Sequence, residues 1–146
     1  MDLWIVSVFL DGSGDPLKSG NPLAVFPEPA ELSKDAMQAI ARTLNLSETT
    51  FVVSARDDTY RMRIFTPLEE LGFAGHPTLG TAWTLRRMGR VRGDELTQET
   101  GVGPTPVRFV GDDLWLRRRG TVASDLEGSD PGIAARLARA LGTKPE

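Results

Sequence analysis

The stretch FAGHPTLG, residues 73–80, decides how this chain folds, because in it a turn leads directly into a helix. Gly75 allows close approach of the backbone to a ligand, and Pro77 suits the first helical position, where its missing N–H removes no hydrogen bond. The start of a helix carries unpaired N–H groups and a partial positive charge. His76, the only histidine of the chain, is therefore predicted to lie beside an anion-binding helix terminus.

The helix that begins near Pro77 is predicted to be enclosed by other structure. Its apolar residues cover more than a narrow stripe, and Gly89 follows as a stop after Met88. A first helix is expected after the N-cap Ser33, and a last helix from Asp130 to Leu141. Apolar or alternating runs predict strands at residues 3–10, 23–26, 49–54, 60–65, 95–99, 107–110 and 114–116.

Composition limits the classes of function. The net charge of −3 and pI near 5.2 argue against a nucleic-acid partner. Without cysteine the chain has no disulfide, catalytic thiolate or cysteine-bound zinc, and a lone histidine argues against a protein-bound metal. No apolar run approaches the roughly 18 residues of a membrane span, and the N-terminus lacks the pattern of a signal peptide. A cytoplasmic protein is expected.

Two side chains carry the candidate chemistry. Glu48, in NLSETTF (residues 45–51), lies at an element boundary before an apolar run, where a carboxyl group can exchange protons. The alternative is a solvent-facing glutamate or a hydrogen-bonding partner at the helix end. His76 can donate to a substrate carboxylate or polarise a carbonyl if the helix terminus keeps it neutral, and alternatively it caps the helix or satisfies a buried carbonyl. We expect the two groups to face each other across a common hollow.

Two further sets of residues receive structural interpretations. Trp4, Trp83 and Trp115 are most simply core residues. The adjacent acids Glu69 and Glu70 are interpreted as a solvated loop pair without a functional role.

Five motifs together resemble PhzF-like proteins, the isomerases of the phenazine-biosynthesis type. They occur in the family's order and spacing between about Trp4 and Leu116: GNPLAVF (20–26), NLSETTF (45–51), IFTP (64–67) with Glu70-Leu71, FAGHPTLG (73–80) and ETGVG (99–103). Each motif alone is weak, whereas the combination is highly specific.

The resemblance implies an α+β fold like that of diaminopimelate epimerase, in which a mostly antiparallel, barrel-like sheet wraps around one central helix. It also implies an isomerase that moves a proton within a small carboxylate without cofactor or metal; the phenazine member acts on dihydro-hydroxyanthranilate. By motif position Glu48 resembles the proton-shuttling acid, and Ser47, Gly75 and His76 resemble substrate-holding residues. Asn21 is expected to help shape the same cleft.

The chain departs from this family of folds in two ways. Relatives such as diaminopimelate epimerase and proline racemase use paired cysteines, so their two-thiol racemisation is excluded here. Family members carry two similar lobes around a cleft, whereas residues 1–123 are predicted to form one lobe. Residues 124–146 are predicted to be a linker and a helix that begins a truncated second lobe.

Two hypotheses follow from these departures. In the first, the chain is an isomerase. In the second, it is a non-catalytic half-protein, or a module that takes its second lobe from a partner or from another copy in a homodimer. A single lobe should expose an apolar face where its mate belongs.

Overall fold

The structure is a computed structural model that describes residues 1–12, 19–28, 31–101, 103–117, 136, 139 and 140. Its elements are, in chain order, β1 (Trp4–Val8), β2 (Asn21–Phe26), α1 (Lys34–Leu44), β3 (Glu48–Arg56), β4 (Thr59–Phe65), β5 (Glu70–Leu71), α2 (Gly75–Arg87), β6 (Glu95–Thr100), β7 (Gly103–Val110) and β8 (Asp113–Leu116). Residues 136, 139 and 140 are helical; the rest of the predicted C-terminal helix and linker lies outside the described residues. Within those ranges no helix is long and apolar enough to cross a membrane.

The strands form one curled, mixed sheet in the order β1-β2-β3-β4-β6-β7-β8, with β5 paired to β4. Two pairings, β2 with β3 and β4 with β6, are parallel, and the others are antiparallel. A helix lies within each parallel connection, since parallel strands need a crossover between them. The predicted α+β class, with a mostly antiparallel barrel-like sheet around a central helix, is confirmed.

The two faces of the sheet carry separate apolar clusters. The concave face packs on α2 through residues that include Val52, Ile64 and Leu85. The convex face packs on α1 through Phe26, Met37, Ala41, Phe51 and Phe65. Adjacent residues of one strand point to opposite faces, so Phe51 belongs to one cluster and Val52 to the other. Helix α2 is therefore the central helix.

Helix α2 lies close to the sheet at Gly80. A Cβ atom added there would lie 2.6 Å from Cδ2 of Leu23 and 3.0 Å from Cγ2 of Val8. Leu23 is fully buried, and valine side chains have few rotamers to which they can move. Glycine at this position therefore sets the distance between the central helix and strands β1 and β2.

The local features predicted for α1 are present. Ser33 caps the helix by accepting a hydrogen bond from the Ala36 N–H at 3.2 Å, and Asn45 ends it in the left-handed conformation. The interpretation of Glu70 as a solvated loop acid is wrong. Its carboxylate accepts two hydrogen bonds from Arg63, at 2.7 and 2.8 Å, and lies 3.3 Å from Lys34. Glu70 instead joins β4, β5 and the start of α1.

Two predicted boundaries are corrected. Helix α2 begins at Gly75, so Pro77 is its third residue instead of its first. Proline is tolerated there because an N–H group in the first turn makes no hydrogen bond within the helix. Strand β7 begins at residue 103 rather than 107, although Pro104 and Pro106 lie within it. The carbonyl of Pro106 accepts a hydrogen bond from the Arg117 N–H, on the side of β7 that faces β8. The nitrogen of Pro106 lies on the same side of the strand, so its missing N–H interrupts no hydrogen bond to β6.

The interpretation of the tryptophans as core residues is wrong. Trp83 is 42% exposed and Trp115 is 63% exposed, and Trp4 is partly buried. The reason is that β1 and β8, the outer strands of the described sheet, do not pair with each other. Trp115 points outward from β8, while Trp4 and Trp83 line the open side of the curled sheet.

We predict that Gly80→Ala destabilises the chain. Overpacking costs about 1–3 kcal/mol, and better helix propensity offsets up to about 1 kcal/mol, so a net loss of about 1–2 kcal/mol is expected. Urea unfolding measures it. Gly72→Ala is the control, because nothing lies within 4 Å of its added Cβ. A Gly80→Ala protein at least as stable as the parent would contradict the proposed close contact.

Candidate active site

Four of the predicted site side chains form a connected row. The Ser47 hydroxyl donates to Oδ1 of Asn21 at 2.7 Å, and Nδ2 of Asn21 lies 3.3 Å from Nδ1 of His76. Nε2 of His76 lies 3.3 Å from Oε2 of Glu48. The structure thus brings together residues separated by up to 55 positions in the sequence.

Parallel pairing of two strands produces this row. Leu23 in β2 is the register partner of Glu48, so β2 and β3 start at the same edge of the sheet. Asn21 is the first residue of β2, and Ser47 directly precedes β3. The N-terminus of α2 reaches the same edge and contributes His76, its second residue.

The start of α2 has no side-chain cap. Its N-cap is Ala74, which offers no side-chain hydrogen bond to the N–H groups of the first turn. Those groups carry the positive end of the helix dipole. Of the residues that the structure describes, the nearest to a Cβ atom added to Gly75 would be Leu116, with Cδ2 at 3.9 Å. Packing within the protein therefore does not require glycine there, and space remains above the backbone.

Glu48 and His76 form a close but unsatisfied pair. Their side chains are 17% and 9% exposed, so both are largely removed from water. Oε2 and Nε2 are buried, at ion-pair separation, but neither has a hydrogen-bond partner of good geometry among the described residues. Both atoms are available to form a hydrogen bond with a bound ligand, because a buried polar atom without a hydrogen bond is energetically unfavourable.

Burial controls the charge of His76. Loss of hydration lowers its pKa below the ordinary value of 6.5, and the nearby Glu48 carboxylate opposes that shift. The ring is therefore neutral at pH 7. A neutral imidazole beside a carboxylate is an arrangement suited to proton transfer.

Buried polar residues that sequence reasoning missed hold the first turn of α2. The Tyr60 hydroxyl donates to the Thr78 carbonyl at 3.0 Å, and the Thr78 hydroxyl lies 2.6 Å from Oε1 of Gln98. Burial raises the pKa of Tyr60, which therefore stays protonated as a donor. Gln98 is 1% exposed and lies two residues after buried Leu96, so the alternation of β6 could have identified it as an inward polar residue.

The expectation that Glu48 and His76 face each other across a common hollow is wrong. Glu48 and His76 lie at ion-pair distance instead of facing each other across a cavity. A groove of about 660 Å³ lies elsewhere, between β1, α2 and β8, and none of the four residues of the row lines it. Among the described residues, no three histidine, aspartate or glutamate side chains are grouped closely enough to bind a metal ion.

We predict that the single histidine titrates below pH 6.5, because burial disfavours its charged form. The unfolded chain then takes up a proton first, so the free energy of unfolding falls as the pH decreases through 6.5. NMR of the ring protons gives the midpoint. Glu48→Gln should lower it further, because the carboxylate raises the pKa of His76. A midpoint above 6.5 in the parent would contradict this account.

Comparison with known proteins gives consistent results. The family model of phenazine biosynthesis-like proteins, PhzC-PhzF, matches residues 8–124. The trans-2,3-dihydro-3-hydroxyanthranilate isomerase of Pseudomonas aeruginosa is 48% identical over 102 residues, covering 69% of this chain and 36% of that protein. Antisense-enhancing sequence 1 of Schizosaccharomyces pombe is 38% identical over 130 residues, covering 84% of this chain and 44% of that protein.

Solved structures agree with this result. The crystal structure of a PhzF-family protein from Enterococcus faecalis matches with a TM-score of 0.69 at 31% identity, covering 87% of this chain and 49% of the other. This chain spans 36%, 44% and 49% of the lengths of these three relatives. The family model, the sequence relatives and the shared fold together establish that the chain belongs to the PhzC-PhzF family of phenazine biosynthesis-like proteins, as its motifs predicted.

Proposed function

We propose that this chain supplies the proton-transferring lobe of a PhzF-type isomerase. The observation that carries the proposal is the buried pair of Glu48 Oε2 and His76 Nε2, 3.3 Å apart at the N-terminus of α2. A carboxylate that is neither solvated nor fully hydrogen-bonded is suited to receive a proton from a neighbouring group.

The reaction is a transfer of one proton within the substrate. Glu48 takes a proton from a substrate carbon, the electron pair of the broken C–H bond moves into the neighbouring π system, and a proton returns to another carbon. The substrate gains and loses no atoms, so the chemistry is an isomerisation. His76 orients the substrate, and holding base and substrate together supplies much of the rate.

The substrate class is a small carboxylate, and the mechanism uses no cofactor. The N–H groups at the start of α2 and the open space above Gly75 favour an anionic group there. A curated relative is named for trans-2,3-dihydro-3-hydroxyanthranilate, which carries a carboxylate and is the first compound to test. The cytoplasmic location, and the exclusion of nucleic-acid and membrane partners, stay predictions from composition.

A second candidate function is favoured by the groove between β1, α2 and β8. Ile5, Phe9 and Trp83 line it and are 56%, 68% and 42% exposed. Apolar surface of this extent is typical of a face that another structure covers. We propose that its occupant is a second lobe, because relatives of this chain are more than twice as long as the matched part. The chain then acts as a module completed by that lobe.

We predict that Glu48→Gln lowers isomerisation by about 10²–10⁴-fold, the usual contribution of a general base. The assay follows trans-2,3-dihydro-3-hydroxyanthranilate in D₂O by NMR, with the chain alone and with a second lobe added. Glu69→Gln is the control, because Glu69 is an exposed acid outside the row. Full turnover by Glu48→Gln would refute the role of Glu48, and turnover only with the added lobe would favour the second candidate.

We also predict that the apolar groove binds the C-terminal part of a full-length relative, produced separately. The emission of Trp4 and Trp83 should shift to the blue as water leaves the groove, and Ile5→Lys should weaken association about tenfold or more. Leu68→Lys is the matched control, since Leu68 is 86% exposed and lies outside the groove. Light scattering that shows a concentration-dependent homodimer, abolished by Ile5→Lys, would instead identify a second copy as the occupant.

A further inference from the structure

Asn21 stands between a hydroxyl group and an imidazole ring. Its Oδ1 accepts from the Ser47 hydroxyl at 2.7 Å, and its Nδ2 lies 3.3 Å from Nδ1 of His76. The backbone of Asn21 is fixed as well, because the residue opens β2 and is paired with Val8 of β1. The amide is therefore held in position from two sides.

The chemistry of these groups determines which ring nitrogen carries the proton. An amide nitrogen only donates, so with Nδ2 of Asn21 turned toward the ring the lone pair of His76 lies on Nδ1. A neutral imidazole has one N–H group, which then lies on Nε2 and faces Oε2 of Glu48 at 3.3 Å. We propose that Asn21 is a positioning residue that holds His76 in the Nε2–H tautomer. The tautomer itself does not depend on the proposed function, whereas its effect on catalysis rests on the proposed role of Glu48.

The alternative tautomer of His76, with its proton on Nδ1, is electrostatically unfavourable. If the amide of Asn21 were reversed, its oxygen would accept from an Nδ1–H group of His76. The lone pair of Nε2 would then face the carboxylate oxygen of Glu48 across 3.3 Å in a poorly hydrated site. Two acceptors at that distance repel each other while Glu48 is ionised.

This tautomer has a consequence for catalysis. With the proton on Nε2, His76 presents a donor beside Oε2 of Glu48 instead of a second acceptor. Because the Nε2···Oε2 contact lacks good hydrogen-bond geometry, the same N–H can turn to a substrate carboxylate that enters beside it. Asn21 thereby ensures that His76 presents a donor, rather than a lone pair, to an anion.

The tautomer is measured directly. Two-bond ¹H–¹⁵N NMR of the labelled full chain at pH 7.5 reports which nitrogen of the single histidine is protonated. We expect Nε2–H in the parent. Asn21→Asp, whose carboxylate only accepts, should place a proton on Nδ1, either in place of the Nε2 proton or in addition to it, and Asn21→Ala should give a mixture of tautomers. Backbone spectra and urea unfolding establish that each variant is folded.

Kinetics separate this inference from the proposed function. With trans-2,3-dihydro-3-hydroxyanthranilate, Asn21→Ala should lower kcat about tenfold, the size expected for one hydrogen bond, with a smaller change in KM. An Nδ1–H tautomer in the parent, or an unchanged Nε2–H tautomer in both variants, would overturn the inference. The expected tautomers without any isomerisation would support the role of Asn21 and reject the isomerase function.

Discussion

The close approach of Gly80 to Leu23 determines where the other parts of the site lie. It places the backbone of the central helix so near β2 that even a methyl side chain at Gly80 would overlap Leu23. Leu23 is also the register partner of Glu48, and His76 lies one helical turn before Gly80. Close packing of Gly80 on β1 and β2 thus places the helix terminus near the start of two parallel strands, where Asn21 also lies.

Enclosure of α2 gives the site its chemical character. A helix terminus in water is a weak anion site, because solvent and ions screen its partial charge. Here the first turn is held by buried Tyr60 and Gln98, and the imidazole and carboxylate are largely shielded from water. Shielding lowers the pKa of His76 and keeps the ring neutral. The fold therefore places a neutral imidazole and a carboxylate side by side in a poorly hydrated part of the chain.

Several features follow from short stretches of sequence and were predictable from them. The cap of α1 at Ser33 and the alternation of β4 depend on neighbouring residues alone. The five motifs identified the family because their order and spacing are specific in combination. Features that depend on distant pairing were missed: Glu70 meets Arg63 across β4 and β5, and Trp83 lies on the open side of the sheet.

The sequence by itself determined which groups are available: one imidazole, no thiol, and an acid and an amide in recognisable motifs. It also determined the helices and most of the strands, because periodicity and capping are local properties of a chain. Only the tertiary structure decided that Asn21, Ser47, Glu48 and His76 form one row. Their distances depend on strand register and on how closely a helix packs against a sheet, and both arise from contacts between residues far apart in the chain.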